Sequence, residues 1–396
     1  MAPAGDWTML VTAINSGADA VYFGIDKLNM RAQAKNFFLK DLRKISEICK
    51  SKNVLTYLTL NSLIYESEIK QLEKIVAKAK EEGIDRIICW DLSVIEMCKK
   101  YNIDFCISTQ ASVSNSYSID FYKRIGAKRI VLARECSLND IKKIRKKTNL
   151  EIEVFIHGAM CVAISGRCFM SHHIFNKSAN RGECFQPCRR EYEIYDKSLG
   201  QSLLIGEDYV MSSKDLCTIE FIDKIIEIGV DSLKIEGRKR SPEYVATTVS
   251  VYRRAIDLYF QKKLNSDIKS QMLEELKTVY NKGFSSGFYF GKPSSDDYSS
   301  IERSLATTRK KYIGKVLNFY KKKNIAHVLI EAGNLELNDE IIFSGKTTGV
   351  IKEKINSMRD NEIYKNKAQK GDEITIQINS LVRRNDKVYK IKFIKQ

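Results

Sequence analysis

Half of the ten cysteines lie in one part of the chain, and four of these are close together. Cys161, Cys168, Cys184 and Cys188 are spaced C-x6-C-x15-C-x3-C, and Cys217 follows 29 positions after the last of them. Glycines and polar residues separate the four, which predicts a loop rather than a packed helix. Four thiolates on one loop can bind a metal centre.

The spacing favours an iron–sulfur cluster over zinc. Structural zinc sites usually show closely paired C-x2–4-C ligands at both ends, and here only Cys184 and Cys188 form such a pair. A [4Fe–4S] cluster also takes four thiolates, and it accepts irregular spacing. The C-x3-C-x2-C pattern of radical S-adenosylmethionine enzymes is absent. Four arginines whose charge would offset that of a thiolate cluster flank the cysteines: Arg167, Arg181, Arg189 and Arg190.

Histidines near the same cysteines leave a second chemistry open. His157 precedes Cys161 by four residues, and His172 and His173 follow Cys168. A cysteine–histidine nucleophile pair would suit a peptidase. However, one such pair does not explain three further cysteines, and the chain has no His-Glu-x-x-His or Gly-x-Ser-x-Gly motif.

The elements that must position these groups follow a repeated local pattern. A helix-like run, a glycine suited to a helix C-terminus and an apolar strand recur at residues 17–21, 83–87, 126–130 and 229–233. Further apolar runs lie at 54–60, 105–108 and 153–156, and a short first strand follows Met1. Strands alternating with helices predict an α/β fold with a parallel sheet. We favour a (β/α)8 TIM-type barrel over an open sheet, because no Gly-x-Gly-x-x-Gly turn follows a strand.

In such a barrel the chemistry collects at the carboxyl ends of the strands. The polar and charged residues that this rule selects are Asn61, Ser108, Thr109, Gln110, Arg134, Glu135, His157, Lys234, Glu236 and Arg238. The sequence therefore predicts a polar barrel mouth next to the cysteine loop.

The charge distribution sets the last 89 residues apart. Residues 308–396 carry a net charge of +10 out of a total of +17. Short predicted strands separated by turns lie at 312–319, 326–331, 340–344, 373–378 and 388–393. We predict a barrel at 1–260 with a cysteine-rich insertion at 157–217, a helical linker at 261–307, and a small basic all-β barrel at 308–396. The basic domain could contact phosphates, unless the charge reflects only a lysine-rich composition.

Bulk composition excludes several classes of protein. Hydrophobic residues make up 43% and charged residues 29%, as in ordinary globular proteins. No stretch approaches the roughly 18 apolar residues of a membrane helix. We see no secretory signal, and therefore expect a cytoplasmic protein without a membrane partner.

The motifs around the cysteines resemble those of peptidase family U-32. The matching segments are Glu153-Val-Phe-Ile-His-Gly-Ala-Met-Cys161, Ser165-Gly-Arg-Cys168, Asn180-Arg-Gly-Glu-Cys-Phe-Gln-Pro-Cys-Arg-Arg190, Ser212-Ser-Lys-Asp-Leu-Cys217 and Lys234-Ile-Glu-Gly-Arg238. The resemblance covers nearly the whole chain. Within the family, residues 280–289 and the C-terminal domain are most similar to the tRNA hydroxylation proteins, which use prephenate to make 5-hydroxyuridine at the tRNA wobble position.

The resemblance implies a [4Fe–4S] cluster on Cys161, Cys168, Cys184 and Cys188, with Cys217 as a competing ligand. It also implies tRNA as partner and prephenate as co-substrate. Because prephenate is a dicarboxylate, we expect fixed cations in its pocket, above all Arg238, with Lys234 and Lys214 as further candidates. The predicted catalytic set is His157, Arg238, Lys234 and Glu236.

The leading hypothesis is an iron–sulfur-dependent enzyme that hydroxylates a tRNA uridine. Two alternatives stay open. One is a collagenase-like peptidase, as the family name suggests, and the other is an RNA-binding protein with a structural metal.

Overall fold

The computed structural model describes residues 1–31, 35–161, 163, 168–190, 192–205, 213–299, 304–361 and 363–394. It shows an α/β barrel followed by an antiparallel β domain, which confirms the predicted fold class. Of the motifs quoted above, residues 165–167 and 212 lie outside the described part of the chain, as does the side chain of Arg189.

Strands and helices alternate through the first part of the barrel. In chain order they are β1 (Ala2–Ala4), α1 (Trp7–Asn15), β2 (Ala20–Phe23), α2 (Leu42–Lys50), β3 (Leu55–Thr59), α3 (Ile69–Glu81), β4 (Arg86–Cys89), α4 (Leu92–Lys100), β5 (Asp104–Ile107), α5 (Ser116–Arg124), β6 (Arg129–Val131), α6 (Leu138–Arg145) and β7 (Glu151–Ala159). Each strand pairs in parallel with the next. Gly17 and Gly83, at φ values of +88° and +70°, turn the chain back towards the sheet after α1 and α3.

Helix α2 illustrates why these segments fold as they do. It buries Leu42, Ile45 and Cys49 on one face, at the spacing of successive helical turns. The neighbouring strands β2 and β3 are buried on both faces except at Leu55, as parallel strands are when they are enclosed.

The cysteine-rich insertion leaves the barrel from β7. It contains α7 (Met170–Phe175), the hairpin strands β8 (Tyr192–Asp196) and β9 (Gln201–Ile205), and β10 (Asp215–Cys217). Strand β10 returns antiparallel to the end of β7, opposite residues 157–159. The two ends of the insertion therefore lie side by side at the barrel mouth.

After α8 (Ile222–Glu227), strand β11 (Ser232–Ile235) closes the barrel as its eighth strand. It pairs in parallel with β7, and the Ile235 amide donates to the Met1 carbonyl at 3.1 Å. The pairing with β7 contains a bulge, since Lys234 faces Phe155 whereas Ile235 faces His157.

The segment between the barrel and the β domain packs on the barrel. It follows α9 (Pro242–Phe260) and comprises α10 (Ser266–Lys277) and β12 (Phe284–Ser285), which pairs with β10. The Tyr289 hydroxyl donates to the Phe155 carbonyl at 2.6 Å, so the segment predicted as a linker supports the strand that carries Phe155.

The C-terminal domain is built from short strands. These are β13 (Thr308–Tyr320), β14 (Ile325–Ile330), β15 (Asn334–Glu336), β16 (Glu340–Gly345), β17 (Gly349–Lys354), β18 (Met358–Asp360), β19 (Ile363–Tyr364), β20 (Lys367–Gln369), β21 (Glu373–Gln377) and β22 (Lys387–Phe393). Eight form one sheet in the order β17-β16-β22-β13-β14-β21-β18-β19, and β15 pairs with β20. All five predicted strands are present, with further short ones between them.

The β domain rests on α1 and α9. Lys310 pairs with Glu243 at 2.6 Å, Lys352 Nζ lies 3.0 Å from the Thr247 hydroxyl, and the Asn15 amide donates to the Thr348 carbonyl at 3.3 Å. Among the described residues, no helix combines the length and the apolar character needed to cross a membrane.

Candidate active site

A cavity of about 140 Å³ lies at the carboxyl ends of the barrel strands, beneath the cysteine-rich insertion. Its floor includes most of the predicted mouth residues: Asn61, Ser108, Thr109, Gln110, Arg134, Lys234, Glu236 and Arg238. Its roof includes Cys161, Cys168, Cys184 and Cys188. The structure thus brings two of the three predicted cations, Arg238 and Lys234, and the four thiols to one cavity.

Arg238 is the best-fixed cation of the floor. It follows β11, is 6% exposed, and its Nη1 donates to Thr59 Oγ1 at 2.9 Å and to Asn29 Oδ1 at 3.1 Å. Burial lowers the pKa of Arg238 to about 10, so the guanidinium stays charged at neutral pH. A Cβ at Gly24 would lie 2.5 Å from Nη1, so only glycine at the end of β2 leaves room for this arrangement.

Arg134 provides a second guanidinium. It stacks over the Phe155 ring at 4.2 Å, and its buried Nε has no hydrogen-bond partner among the described residues. Neither Arg134 nor Arg238 forms an ion pair with a carboxylate in that part of the chain. Glu236 lines the same cavity and attracts Arg238 without pairing with it. Guanidinium groups that are not paired with a carboxylate favour binding of an anion.

Lys234 has a different environment from the two arginines. Its Nζ lies 2.8 Å from Glu153 Oε1, and Glu153 is also bound by Arg129 at 3.1 Å and by the Ser232 hydroxyl at 2.7 Å. Burial alone would raise the pKa of Glu153, but Lys234 and Arg129 outweigh it and hold the pKa at about 2. The charge of Lys234 is therefore already balanced by Glu153, and we assign it a positioning role in the cavity floor.

Glu236 is the carboxylate of the cavity. It is 13% exposed and lies 3.5 Å from Arg31 Nη2. The third predicted cation, Lys214, does not line the cavity; it donates instead to the Asp296 carbonyl.

His157 lies outside the cavity lining, in an aromatic enclosure. Its ring contacts those of Tyr244, Tyr252 and Phe284 at 5.5–5.8 Å between centroids, and Nδ1 is 3.3 Å from the Tyr252 hydroxyl. Burial, with Arg240 nearby, lowers the pKa of His157 to about 3. The structure therefore places a neutral, 1% exposed imidazole behind the strand and not beside Cys161.

None of the four roof cysteines forms a disulfide with another described residue. Cys161 is exposed and the other three are half-buried. Burial raises the pKa of Cys168, as do the nearby Cys161 and Cys184, while the Met170 amide, 3.5 Å from its Sγ, opposes the shift.

Cys217, the competing ligand, is not at the roof. It is 5% exposed, its Sγ lies 3.7 Å from the Tyr252 hydroxyl, and burial raises its pKa to about 11. A buried, protonated thiol at this position cannot readily join the other four.

In number, type and location, the four roof thiols fit the donor set of a [4Fe–4S] cluster. Within the described residues, however, no three Cys, His, Asp or Glu side chains already stand together as a metal-binding group. Binding of a cluster would therefore draw the thiols together.

The insertion is attached to the barrel by Arg181. This arginine pairs with Glu68 through both nitrogens, one at 2.9 Å, and stacks over Tyr65 at 4.5 Å. Its charge is thus matched by Glu68, which corrects the expectation that it offsets the thiolates. Arg190 stacks over Phe175 at 4.8 Å, and Arg167 lies outside the described residues.

Sequence reasoning missed the residues that hold Arg238. Asn29 lies in the loop after β2, Thr59 is the last residue of β3, and Tyr22 lies beneath the guanidinium at 5.9 Å. The only local signal was Gly24, which follows an apolar strand where a side chain would normally be tolerated.

The sequence matches the family model of Peptidase family U32 over residues 5–299. A collagenase of Porphyromonas gingivalis strain W83 is 40% identical over 402 residues, covering 98% of this chain and 97% of that protein. The tRNA hydroxylation protein P1 of Bacillus subtilis is 38% identical, covering 87% of this chain and 83% of that protein. The 23S rRNA 5-hydroxycytidine C2501 synthase of Escherichia coli is 33% identical, covering 66% of this chain and 40% of that protein.

Proposed function

The chain belongs to peptidase family U32, and we propose that it is an iron–sulfur-dependent enzyme that hydroxylates the wobble uridine of tRNA with prephenate as co-substrate. Relatives named for tRNA and rRNA hydroxylation support a role in RNA hydroxylation. The observation that carries the proposal is one cavity lined both by four thiols and by the guanidinium groups of Arg134 and Arg238, which form no ion pair with a carboxylate of the described residues.

The floor suits a small dianion. Arg238 is held rigidly by two neutral acceptors and Arg134 by stacking, so both keep donors for a ligand. A guanidinium binds a carboxylate through two parallel hydrogen bonds. Two such groups in one cavity fit a dicarboxylate such as prephenate, and the Tyr22 and Phe155 rings supply apolar walls for its carbon skeleton.

The roof would hold the cofactor. Cys161, Cys168, Cys184 and Cys188 would bind a [4Fe–4S] cluster, which would supply electron transfer next to the bound dianion. The protein's own contribution is to fix the anion from below, to keep Glu236 oriented through Arg31, and to exclude water by the insertion that covers the mouth.

A peptidase activity is the second candidate, because a 40%-identical relative is named a collagenase. The structure gives it less support, since His157 does not share the cavity with Cys161. Protein purified without oxygen and incubated with gelatin tests it directly. Cleavage that disappears in Cys161→Ser would favour the peptidase.

Deletion of the gene and mass spectrometry of tRNA nucleosides test the leading proposal. We expect 5-hydroxyuridine derivatives to disappear and to return when the wild-type gene is restored. Unchanged derivatives would contradict it. Iron and sulfide in oxygen-free protein support the cluster, whereas zinc alone, with tRNA binding but no modified nucleoside, would favour an RNA-binding protein with a structural metal.

A further inference from the structure

A second depression, lined by none of the four roof cysteines, lies between the barrel and the β domain. This interdomain groove has a volume of about 1000 Å³ and is bounded by α1 and α2 on one side and by β17 and the loops around Thr347 and Leu381 on the other. The basic residues that line it are Lys44, Lys52, Lys346, Lys352 and Arg383, and its lining contains no Asp or Glu.

Within the described part of the chain none of these five cations forms an ion pair; Lys352 donates to a hydroxyl, and Arg383 donates to the Thr347 carbonyl and the Thr348 hydroxyl. Other lysines of the β domain are neutralised by carboxylates, as Lys315 is by Glu331 and Lys390 by Asp339. Carboxylates outside the lining attract two of the five: Glu243, Glu275 and Glu340 act on Lys352, and Asp386 acts on Arg383. Lys44, Lys52 and Lys346 have no such partner among the described residues, so the groove carries a net positive charge.

The groove runs along α1, from the end of the barrel that carries the cavity towards the opposite end. Trp7 begins α1, just after the carboxyl end of β1, and Asn15 ends α1 at the opposite face of the barrel. Nine helical residues at about 1.5 Å each give a length of about 14 Å, which matches roughly four stacked nucleotides at about 3.4 Å each.

The upper end of the groove lies close to Arg238. Gly5, two residues before Trp7, packs against the Arg238 backbone so closely that a Cβ would lie 2.2 Å from the carbonyl oxygen. A strand in the groove could thus continue towards the barrel mouth. The floor also offers apolar surface, since Trp7, Ile14 and Leu381 line it, and Lys44 lies 5.0 Å from the Trp7 ring.

We propose that the interdomain groove binds the phosphate backbone of the RNA substrate and leads it to the catalytic mouth. The inference rests on the proposed function for the identity of the polyanion. Charge complementarity selects the occupant, because a lining with five cations and no acid repels basic partners and suits closely spaced phosphates. Both domains contribute, so the barrel lysines should matter as much as those of the basic domain.

The test compares two triple variants of the full-length protein. The groove variant is Lys44→Gln, Lys52→Gln and Lys346→Gln, all exposed positions. The matched control, Lys142→Gln, Lys143→Gln and Lys147→Gln, removes the same charge from exposed positions in and just after α6, across the barrel. Thermal unfolding confirms that both variants fold, and fluorescence anisotropy then measures tRNA affinity over a range of salt concentrations.

We expect the groove variant to bind tRNA at least about tenfold more weakly near 0.15 M salt, with a salt slope smaller by about 2–3, because each lost phosphate contact lowers it by about 0.7–0.9. The control should stay within about twofold of wild type. Equal affinity of all three proteins, or equal loss in both variants, would overturn the proposal. The proposal would also be overturned if the groove variant bound tRNA like wild type but no longer bound anionic phosphatidylserine vesicles or polyglutamate.

Nucleoside analysis separates this inference from the proposed function. If the groove variant binds tRNA like wild type while wild type still forms 5-hydroxyuridine, only the groove assignment fails. If wild type binds tRNA through the groove but forms no modified nucleoside, the proposed reaction fails and the groove assignment stands.

Discussion

The floor and the roof of the cavity are built in opposite ways. Floor residues such as Arg238 and Lys234 are almost fully buried and held by hydrogen bonds from several barrel strands. The roof cysteines are half-buried or exposed, and Arg181 attaches their insertion to the barrel. The difference indicates that the fold itself fixes the floor cations, whereas the roof thiols would take their final geometry from a cluster if they bind the one we propose.

The largest effect is expected when one roof thiol is removed, because the roof and the floor should then respond differently. We expect Cys184→Ser to lose its iron and its hydroxylation activity entirely while the barrel stays folded, because three thiolates cannot complete the site. Cys217→Ser is the matched control and should keep wild-type iron, since Cys217 is buried behind Tyr252. The test measures iron and sulfide per chain in both variants, and circular dichroism checks that both are folded. Normal iron in Cys184→Ser would exclude it as a ligand.

Removing the floor cation should affect the co-substrate and leave the roof intact. We expect Arg238→Ala to raise the KM for prephenate roughly 10- to 100-fold, because a hydrogen bond to a charged group contributes about 1.5–3 kcal/mol. Iron content should not change, and Arg238→Lys should restore part of the affinity. Lys214→Ala, outside the cavity, serves as the control. Unaltered hydroxylation by Arg238→Ala at limiting prephenate would show that the anion binds elsewhere.

A smaller effect is expected at the attachment between floor and roof. Arg181→Ala should lose iron to a chelator about fivefold faster, since a well-ordered, partly exposed ion pair is worth about 1 kcal/mol. The thermal midpoint of the barrel should hardly move. Arg254→Ala breaks a surface ion pair with Glu275 and should leave chelation unaffected. Identical chelation rates in both variants would mean that Arg181 does not stabilise the roof.

The smallest effect on activity is expected at His157, which belongs to neither floor nor roof. Its folded-state pKa of about 3 is lowered from 6.5, so the neutral imidazole stabilises the fold above pH 6.5, and this contribution is lost as pH falls towards 3. We expect His157→Gln to retain activity at pH 7. Below pH 6.5 its free energy of unfolding should decrease less steeply with falling pH than that of wild type, by up to about 1.4 kcal/mol per pH unit. Urea unfolding at several pH values measures the slope. Loss of activity at pH 7 without loss of stability would restore a catalytic role.

The sequence predicted the parts of the site that depend on local pattern. Glycine-punctuated helices and apolar runs led to the barrel, and the rule for strand ends led to Arg134 and Arg238. The cysteine spacing led to the roof. Each of these signals is contained within about ten to thirty neighbouring residues.

The parts that sequence reasoning missed depend on distant contacts. Lys234 is neutralised by Glu153, 81 positions earlier, and no pattern within either strand reveals the pair. His157 follows Glu153 and Phe155 at the two-residue period of a strand, which predicts that it faces the cavity. The bulge opposite Lys234 and Ile235 breaks that period and turns the imidazole away.

The pairing of β12 with β10 has a consequence for how the protein is made. The cysteine segment ends near residue 190, but two strands that complete the sheet beneath it, β11 on β7 and β12 on β10, end at residues 235 and 285. At roughly 5–20 residues per second, a ribosome needs about 5–20 s to add the intervening 95 residues. During that interval the four thiols have no finished barrel beneath them. If these thiols bind the cluster we propose, its insertion is therefore expected to follow completion of the barrel rather than to guide the folding of the barrel.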